Sequence, residues 1–200
     1  MSRAAQARRI ATAAAYGGGG LGLLTAAGWG LLLGEAKLAR RWVGPPDAAP
    51  PVGDGVWGVG DDPPITMVVM GDSSAAGYGV HDALETPGVL VAAGLAEVAG
   101  RPVRLVTTAV VGARSEHLAS QVEQVLAEHP DIAVIMVGAN DVTGRVRTSE
   151  SVQHLARAVR RLRAHGAEVV VSTCPDLGTV EPIAQPLRLV ARMLSRQLAA

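Results

Sequence analysis

The polarity pattern changes character three times along the chain. From Ile10 to Gly34 no residue is charged. At about 1.5 Å per residue, a helix of roughly 25 residues is long enough to cross a hydrocarbon core with some tilt. Residues 44–64 are rich in proline and glycine and show no period, the pattern of a linker. From Ile65 onward, short apolar runs alternate with stretches of helical spacing. Ile65–Met70, Val103–Val111, Ile132–Val137 and Val169–Ser172 read as strands. Thr86–Val98, Ser115–Glu128, Ser149–His165 and Leu187–Leu198 read as helices, the first three stopped by Gly100, Pro130 and Gly166. Unalternating apolar strands separated by helices predict a parallel sheet covered on both faces. The expected organisation is a hydrophobic segment at 1–43, a linker at 44–64 and one α/β domain at 65–200.

The N-terminal segment has three readings. A single-pass anchor fits its length, and Gly18/Gly22 and Gly30/Gly34 have the spacing that lets membrane helices approach closely. A cleaved export signal fits the basic start at Arg3, Arg8 and Arg9, although no A-x-A site follows the apolar run. A tail rich in alanine and glycine is the third. Lys37, Arg40 and Arg41 balance the upstream arginines, so orientation stays open. Either of the first two readings makes the domain membrane-anchored or exported, with the expectation that it is extracytoplasmic and meets the membrane through this segment.

Composition narrows the function classes. Lys and Arg total 18, Asp and Glu total 18, and the net charge is zero, without the positive footprint that nucleic-acid binding requires. One cysteine, Cys174, excludes an internal disulfide and a Cys-based zinc knuckle. All five aromatics (Tyr16, Trp29, Trp42, Trp57, Tyr78) precede residue 79, so the later core is aliphatic. The helix at 149–165 is expected to turn Val152, Leu155, Val159 and Leu162 inward, while the arginines at 157, 160, 161 and 163 fall mostly on its outer face and read as a solvated surface.

In a parallel sheet, functional residues gather where the strands end. Three predicted strand ends carry unusual loops: Gly71-Asp72-Ser73-Ser74-Ala75-Ala76-Gly77, Val111-Gly112-Ala113-Arg114-Ser115 and Gly138-Ala139-Asn140-Asp141. Gly71-Asp72-Ser73 followed by Gly77 resembles the first block of the SGNH, or GDSL-type, hydrolases. Gly112 matches the glycine of their second block and Gly138-Ala139-Asn140-Asp141 their third. The resemblance covers about residues 65–198, with Ser74 where the family usually has Leu. It implies a three-layer α/β/α flavodoxin-like fold, ester or related acyl substrates, and neither cofactor nor metal. It also implies that Ser73 is the nucleophile. The backbone N–H groups of Ser73 and Gly112, with the Asn140 amide, then form the oxyanion hole.

Those roles suit acyl transfer, which needs an activated hydroxyl and fixed donors aimed at the developing oxyanion. Gly112 is expected to let backbone approach the substrate, and Asn140 to donate without burying a charge. Without the resemblance, Ser73 reads as a helix N-cap, and Asp72 and Asp141 as loop anchors supporting the site. The glycines of 71–79 lack the lysine of a phosphate-binding loop. Cys174 reads as a small buried residue.

The family's base comes from an Asp-x-x-His block, and no Asp here has His three residues later. His81 is the histidine nearest Ser73 in sequence, in a position that suits the rim of a site. The expectation is therefore a chain that lacks its last block and strand and is inactive as given for want of the histidine base, with Val169–Ser172 left as an open sheet edge. Three functions follow: an ester hydrolase, a binding domain that keeps the pocket without catalysis, or an acyltransferase onto a glycan or lipid hydroxyl. The expected partner is a small-molecule, lipid or glycan ester.

Overall fold

The computed structural model describes residues Leu31, Gly34, Glu35, 48–181 and 183–200. The charge-free run Ile10–Gly34 lies outside them except for Leu31 and Gly34. Among the described residues no helix is long and apolar enough to cross a membrane. Contacts divide the chain into two compact units. In the first, Met1–Gly44 with Val180–Leu189, the Leu187 amide donates to the Glu35 carboxylate at 3.0 Å. The second, Pro45–Thr179 with Val190–Ala200, contains the sheet.

In chain order the elements are β1 (Gly55–Trp57), β2 (Ile65–Gly71), α1 (Ser73–Ala76), α2 (Pro87–Ala99), β3 (Val103–Thr107), α3 (Leu118–Leu126), β4 (Ile132–Met136), α4 (Ala139–Thr143), α5 (Thr148–Ala164), β5 (Glu168–Val171) and α6 (Leu187–Ala199). The sheet order is β1-β3-β2-β4-β5. Every pairing is parallel except that of β1, which runs antiparallel along β3 with Gly55 opposite Leu105.

The central strand explains the layering. Met67, Val68, Val69 and Met70 are each 0–1% exposed. Because strand side chains alternate, Val68 and Met70 enter one core with Leu118, Val122, Val125 and Leu162. Met67 and Val69 enter the other with Val89, Ala92, Ala96 and Leu105. Helices α3 and α5 cover the first face and α2 the second, which is the expected three-layer α/β/α arrangement. Each of the buried valine, leucine and methionine side chains contributes roughly 1.5–3 kcal/mol of transfer free energy.

Four expectations are corrected. The stretch read as linker contributes the edge strand β1, because Trp57 is half-buried against the α2-side core and its indole N–H donates to the Gly53 carbonyl at 3.0 Å. The β3 run ends at Thr107, and Val110 and Val111, expected in the strand, are 56% and 43% exposed in the following loop. Helix α2 buries Gly88, Val89, Ala92 and Ala96 instead of its larger residues. Leu90 and Val98 stay 60% and 88% exposed, since the small side chains let that helix approach β3 closely. Val152, expected inward on α5, is 49% exposed. Strand β5 sits at the sheet edge with Val170 and Val171 56% and 40% exposed, in line with the expectation of an open edge there.

Candidate active site

Strands β3, β2 and β4 are neighbours, so the loops that leave their carboxyl ends are brought together. The β2 loop turns at Gly71. Its φ is +137°, and a Cβ there would lie 1.8 Å from the Met136 carbonyl oxygen, so no side chain fits. The Asp72 amide then donates to that same Met136 carbonyl at 2.9 Å, which ties the turn to the end of β4.

Asp72, not Ser73, caps helix α1: its carboxylate accepts the Ser74 amide at 2.8 Å. Ser73 is the first helical residue, half-buried, and its hydroxyl is uncommitted to capping. Among the described residues the Ser73 and Gly112 amides donate to no acceptor, as expected of a first-turn N–H and of a turn glycine. Gly112 has φ +83°, and a Cβ there would meet nothing within 4 Å. The backbone conformation at this position itself favours glycine.

Asn140 lies in the first turn of α4, and its Nδ2 donates to the Ala113 carbonyl at 3.0 Å. The side chain thus bridges the β4 loop to the residue after Gly112, and a primary amide keeps a second N–H for another acceptor. Asp141, 1% exposed, is a hub. It accepts the Ser115 hydroxyl at 2.6 Å, the Ser115 amide at 3.1 Å and the Ser151 hydroxyl at 2.9 Å, joining the β3 loop, α4 and α5. The anchor reading of Asp72 and Asp141 therefore matches their contacts.

Electrostatics separate two buried groups. Burial raises the Asp72 carboxyl above its ordinary value and the Asp141 charge adds to the rise, against hydrogen bonds from Ser74 and the Gly138 amide. Burial, followed by the charges of Asp72 and Asp141, pushes the Cys174 thiol up to about 11. A neutral thiol is a poor nucleophile, consistent with a packing role. Among the described residues no group of three or more His, Cys, Asp or Glu could hold a metal ion. None of the five histidines hydrogen-bonds Ser73; His117 instead accepts the Arg114 amide on Nδ1 at 3.0 Å.

Sequence reasoning missed Gln121. Its side chain pairs with both backbone groups of Gly71, accepting from N–H at 2.7 Å and donating to C=O at 2.9 Å. The available signal was a glutamine on the face of α3 otherwise made of Leu118, Val122 and Val125. Ser115 and Ser151 were missed as well, because nothing local marks a serine that serves a distant carboxylate. Ser73, Gly112 and Asn140 line neither the cavity of about 320 Å³ beside α1 nor that of about 150 Å³ bounded by Ser115, Gly138 and Cys174.

Similarity to known proteins bears on the family and the fold. Residues 69–200 match the model of the GDSL-like Lipase/Acylhydrolase family. A GDSL-like esterase of Mycobacterium tuberculosis is 45% identical over 202 residues, covering 95% of this chain and 64% of the relative's length. Among solved structures, TesA is 27% identical with a TM-score of 0.50, covering 66% of this chain and 74% of its own. AlinE4, an SGNH-hydrolase family esterase, is 19% identical with a TM-score of 0.52, over 70% of this chain and 76% of its own, and speaks to the fold alone.

Proposed function

We propose that this chain, which belongs to the GDSL-like lipase/acylhydrolase family, hydrolyses a carboxylic ester with Ser73 as nucleophile. The observation that carries the reading is the cross-tying of three loops at adjacent strand ends, with the Ser73 and Gly112 amides left without acceptors. In this mechanism Ser73 Oγ attacks the ester carbonyl carbon while the histidine of the family's Asp-x-x-His block, which residues 1–200 do not contain, takes its proton as general base. The carbonyl oxygen becomes an oxyanion and accepts from the Ser73 N–H, the Gly112 N–H and the Asn140 amide. Collapse expels the alcohol, which takes the proton from the base. Water, deprotonated by the same base, then cleaves the acyl-enzyme to the acid and restores the serine.

The esterase relative supports the reaction class, and the Asn140–Ala113 hydrogen bond supports an Asn140 amide oriented before substrate arrives. Preorganised donors lower the barrier because they need no reorganisation when charge develops. The charge-free run Ile10–Gly34 supports an N-terminal membrane tether or export signal that places the domain outside the cytoplasm.

The test, on protein expressed from the full reading frame, is hydrolysis of p-nitrophenyl esters together with fluorophosphonate labelling. Ser73→Ala is expected to abolish both, and Asn140→Ala to lower kcat by ~10²-fold. Labelling and turnover that survive Ser73→Ala would remove Ser73 from the mechanism. Extraction of membranes at alkaline pH tests the tether: release of the protein into the soluble fraction would remove the anchor and leave the export signal or the tail as the N-terminal reading.

A further inference from the structure

We infer that the cavity beside α1, walled by Pro50–Asp54, is the subsite for a short, neutral, apolar arm of the ester, an inference that rests on the Ser73 reading above. The cavity measures about 320 Å³, near the lower end of the ~300–1,000 Å³ of small-molecule sites, which suits a short chain more than a long lipid tail.

Its position follows from its walls. Ala75 and Ala76 lie two and three residues beyond Ser73 in α1, and Val111 directly precedes Gly112. The residues that flank the nucleophile and the oxyanion glycine therefore also bound the cavity. The Val110 amide, donating to the Gly71 carbonyl at 3.1 Å, ties these two walls together. All this lies on the β3 side of β2, whereas Asn140 follows β4 on the other side. The cavity therefore lies on the Gly112 side of Ser73, away from Asn140.

The far wall is the segment Pro50–Asp54, which precedes the stretch matched by the family model. It is held from three directions. The Thr107 amide donates to the Asp54 carboxylate at 2.9 Å, the Trp57 indole donates to the Gly53 carbonyl at 3.0 Å, and β1 pairs along β3 directly afterwards. This wall is formed before a ligand arrives.

The lining sets the chemistry. Ala75, Ala76, Ala109, Val110 and Val111 present methyl and isopropyl groups, and no lysine, arginine or histidine is present among the lining residues. The one charged group, Asp54, is negative, so a carboxylated or phosphorylated arm meets repulsion with no counter-charge. A neutral alkyl group is stabilised by leaving water.

The experiment uses two ester series on the wild-type protein, Val110→Trp and Val52→Trp, each expressed from the full reading frame. One series lengthens the acyl chain in p-nitrophenyl esters, and the other lengthens the alcohol in alkyl acetates followed by acid release. Val110 and Val52 are 56% and 81% exposed, so both substitutions change the cavity without entering the core. In wild type, kcat/KM is expected to rise from a two-carbon to a six-carbon arm in one series. At least one variant is expected to cut that six-to-two-carbon ratio ~tenfold or more. The series that responds identifies the arm as acyl or alcohol. Ratios that change by less than this in both series, in both variants, overturn the subsite. Wild-type protein that hydrolyses no ester and takes no fluorophosphonate overturns the Ser73 reading instead, and this inference with it.

Discussion

Gln121 holds Gly71 by both of its backbone groups across fifty positions of sequence, with Gly71 N–H donating to Oε1 at 2.7 Å and Nε2 donating to Gly71 C=O at 2.9 Å. Gly71 is the last residue of β2 and directly precedes the Asp72-Ser73 turn. Helix α3 thereby sets the position of the strand end from which the proposed nucleophile projects. A leucine at 121 would satisfy the apolar pattern of α3 and lose this contact.

Gln121→Leu leaves the Gly71 amide buried without an acceptor, while the Gly71 carbonyl keeps the Val110 amide at 3.1 Å. The expected cost is about 1–3 kcal/mol, measured by urea unfolding. Hydrogen exchange at the Gly71 amide is expected to accelerate in step. Unchanged stability and unchanged exchange would show that the pairing has no energetic weight.

Gly71→Ala places a Cβ 1.8 Å from the Met136 carbonyl oxygen at φ +137°. Neither the backbone of β4 nor a left-handed alanine can absorb that, so the cost is expected to reach about 4 kcal/mol or more. Thermal unfolding of the variant, or failure to recover soluble protein, measures it. A variant that melts with wild type would contradict the packing of this turn.

Asp72 gives a pH prediction. Burial raises its folded-state pKa above the ordinary 3.8 of the unfolded chain. The folded state then holds a proton that the unfolded state has released. The stability contributed by this carboxyl is full below 3.8 and declines as pH rises through the raised folded value. Asp72→Asn keeps an oxygen acceptor for the Ser74 amide and removes the charge. The difference in Tm, Asn variant minus wild type, is expected to grow as pH is raised from the acid range to neutrality. A difference that is flat or shrinks over that range would refute the assignment.

For Cys174 the folded-state value is about 11 against an ordinary 9.0. Near pH 8 its thiolate fraction is then about 100-fold below that of a free cysteine, and alkylation by iodoacetamide should slow by at least that factor. The stability share of the neutral thiol is present below 9.0 and is lost as pH rises through about 11. Mass spectrometry after timed alkylation checks the rate, and labelling as fast as glutathione would contradict the buried, neutral thiol.

Local pattern was enough for much of the fold. Unbroken apolar runs at Ile65–Met70 and Ile132–Val137 can be buried on both faces only as central strands, and they pair side by side. The helical period at 149–165 and its stop at Gly166 mark α5 to within a residue at each end. The loops of the site were legible for the same reason: each follows such a strand and departs from its pattern. Where local pattern misled, tertiary packing had another option. Trp57 drew a glycine-rich stretch into the sheet edge, and small residues on α2 displaced Leu90 and Val98 from the core.

The sequence by itself determined which residues enter strands, which form helices and which three loops meet at one edge of the sheet, because periodicity reports burial within a few residues. Only the tertiary structure decided that Gln121 grips Gly71, that Asn140 reaches Ala113, that Asp141 gathers Ser115 and Ser151, and that Pro50–Asp54 closes a cavity beside α1. Those contacts join residues 10 to 50 positions apart. A polar side chain satisfied by a distant partner leaves no periodic trace, so the strand order and register had to be known before any of them could be found.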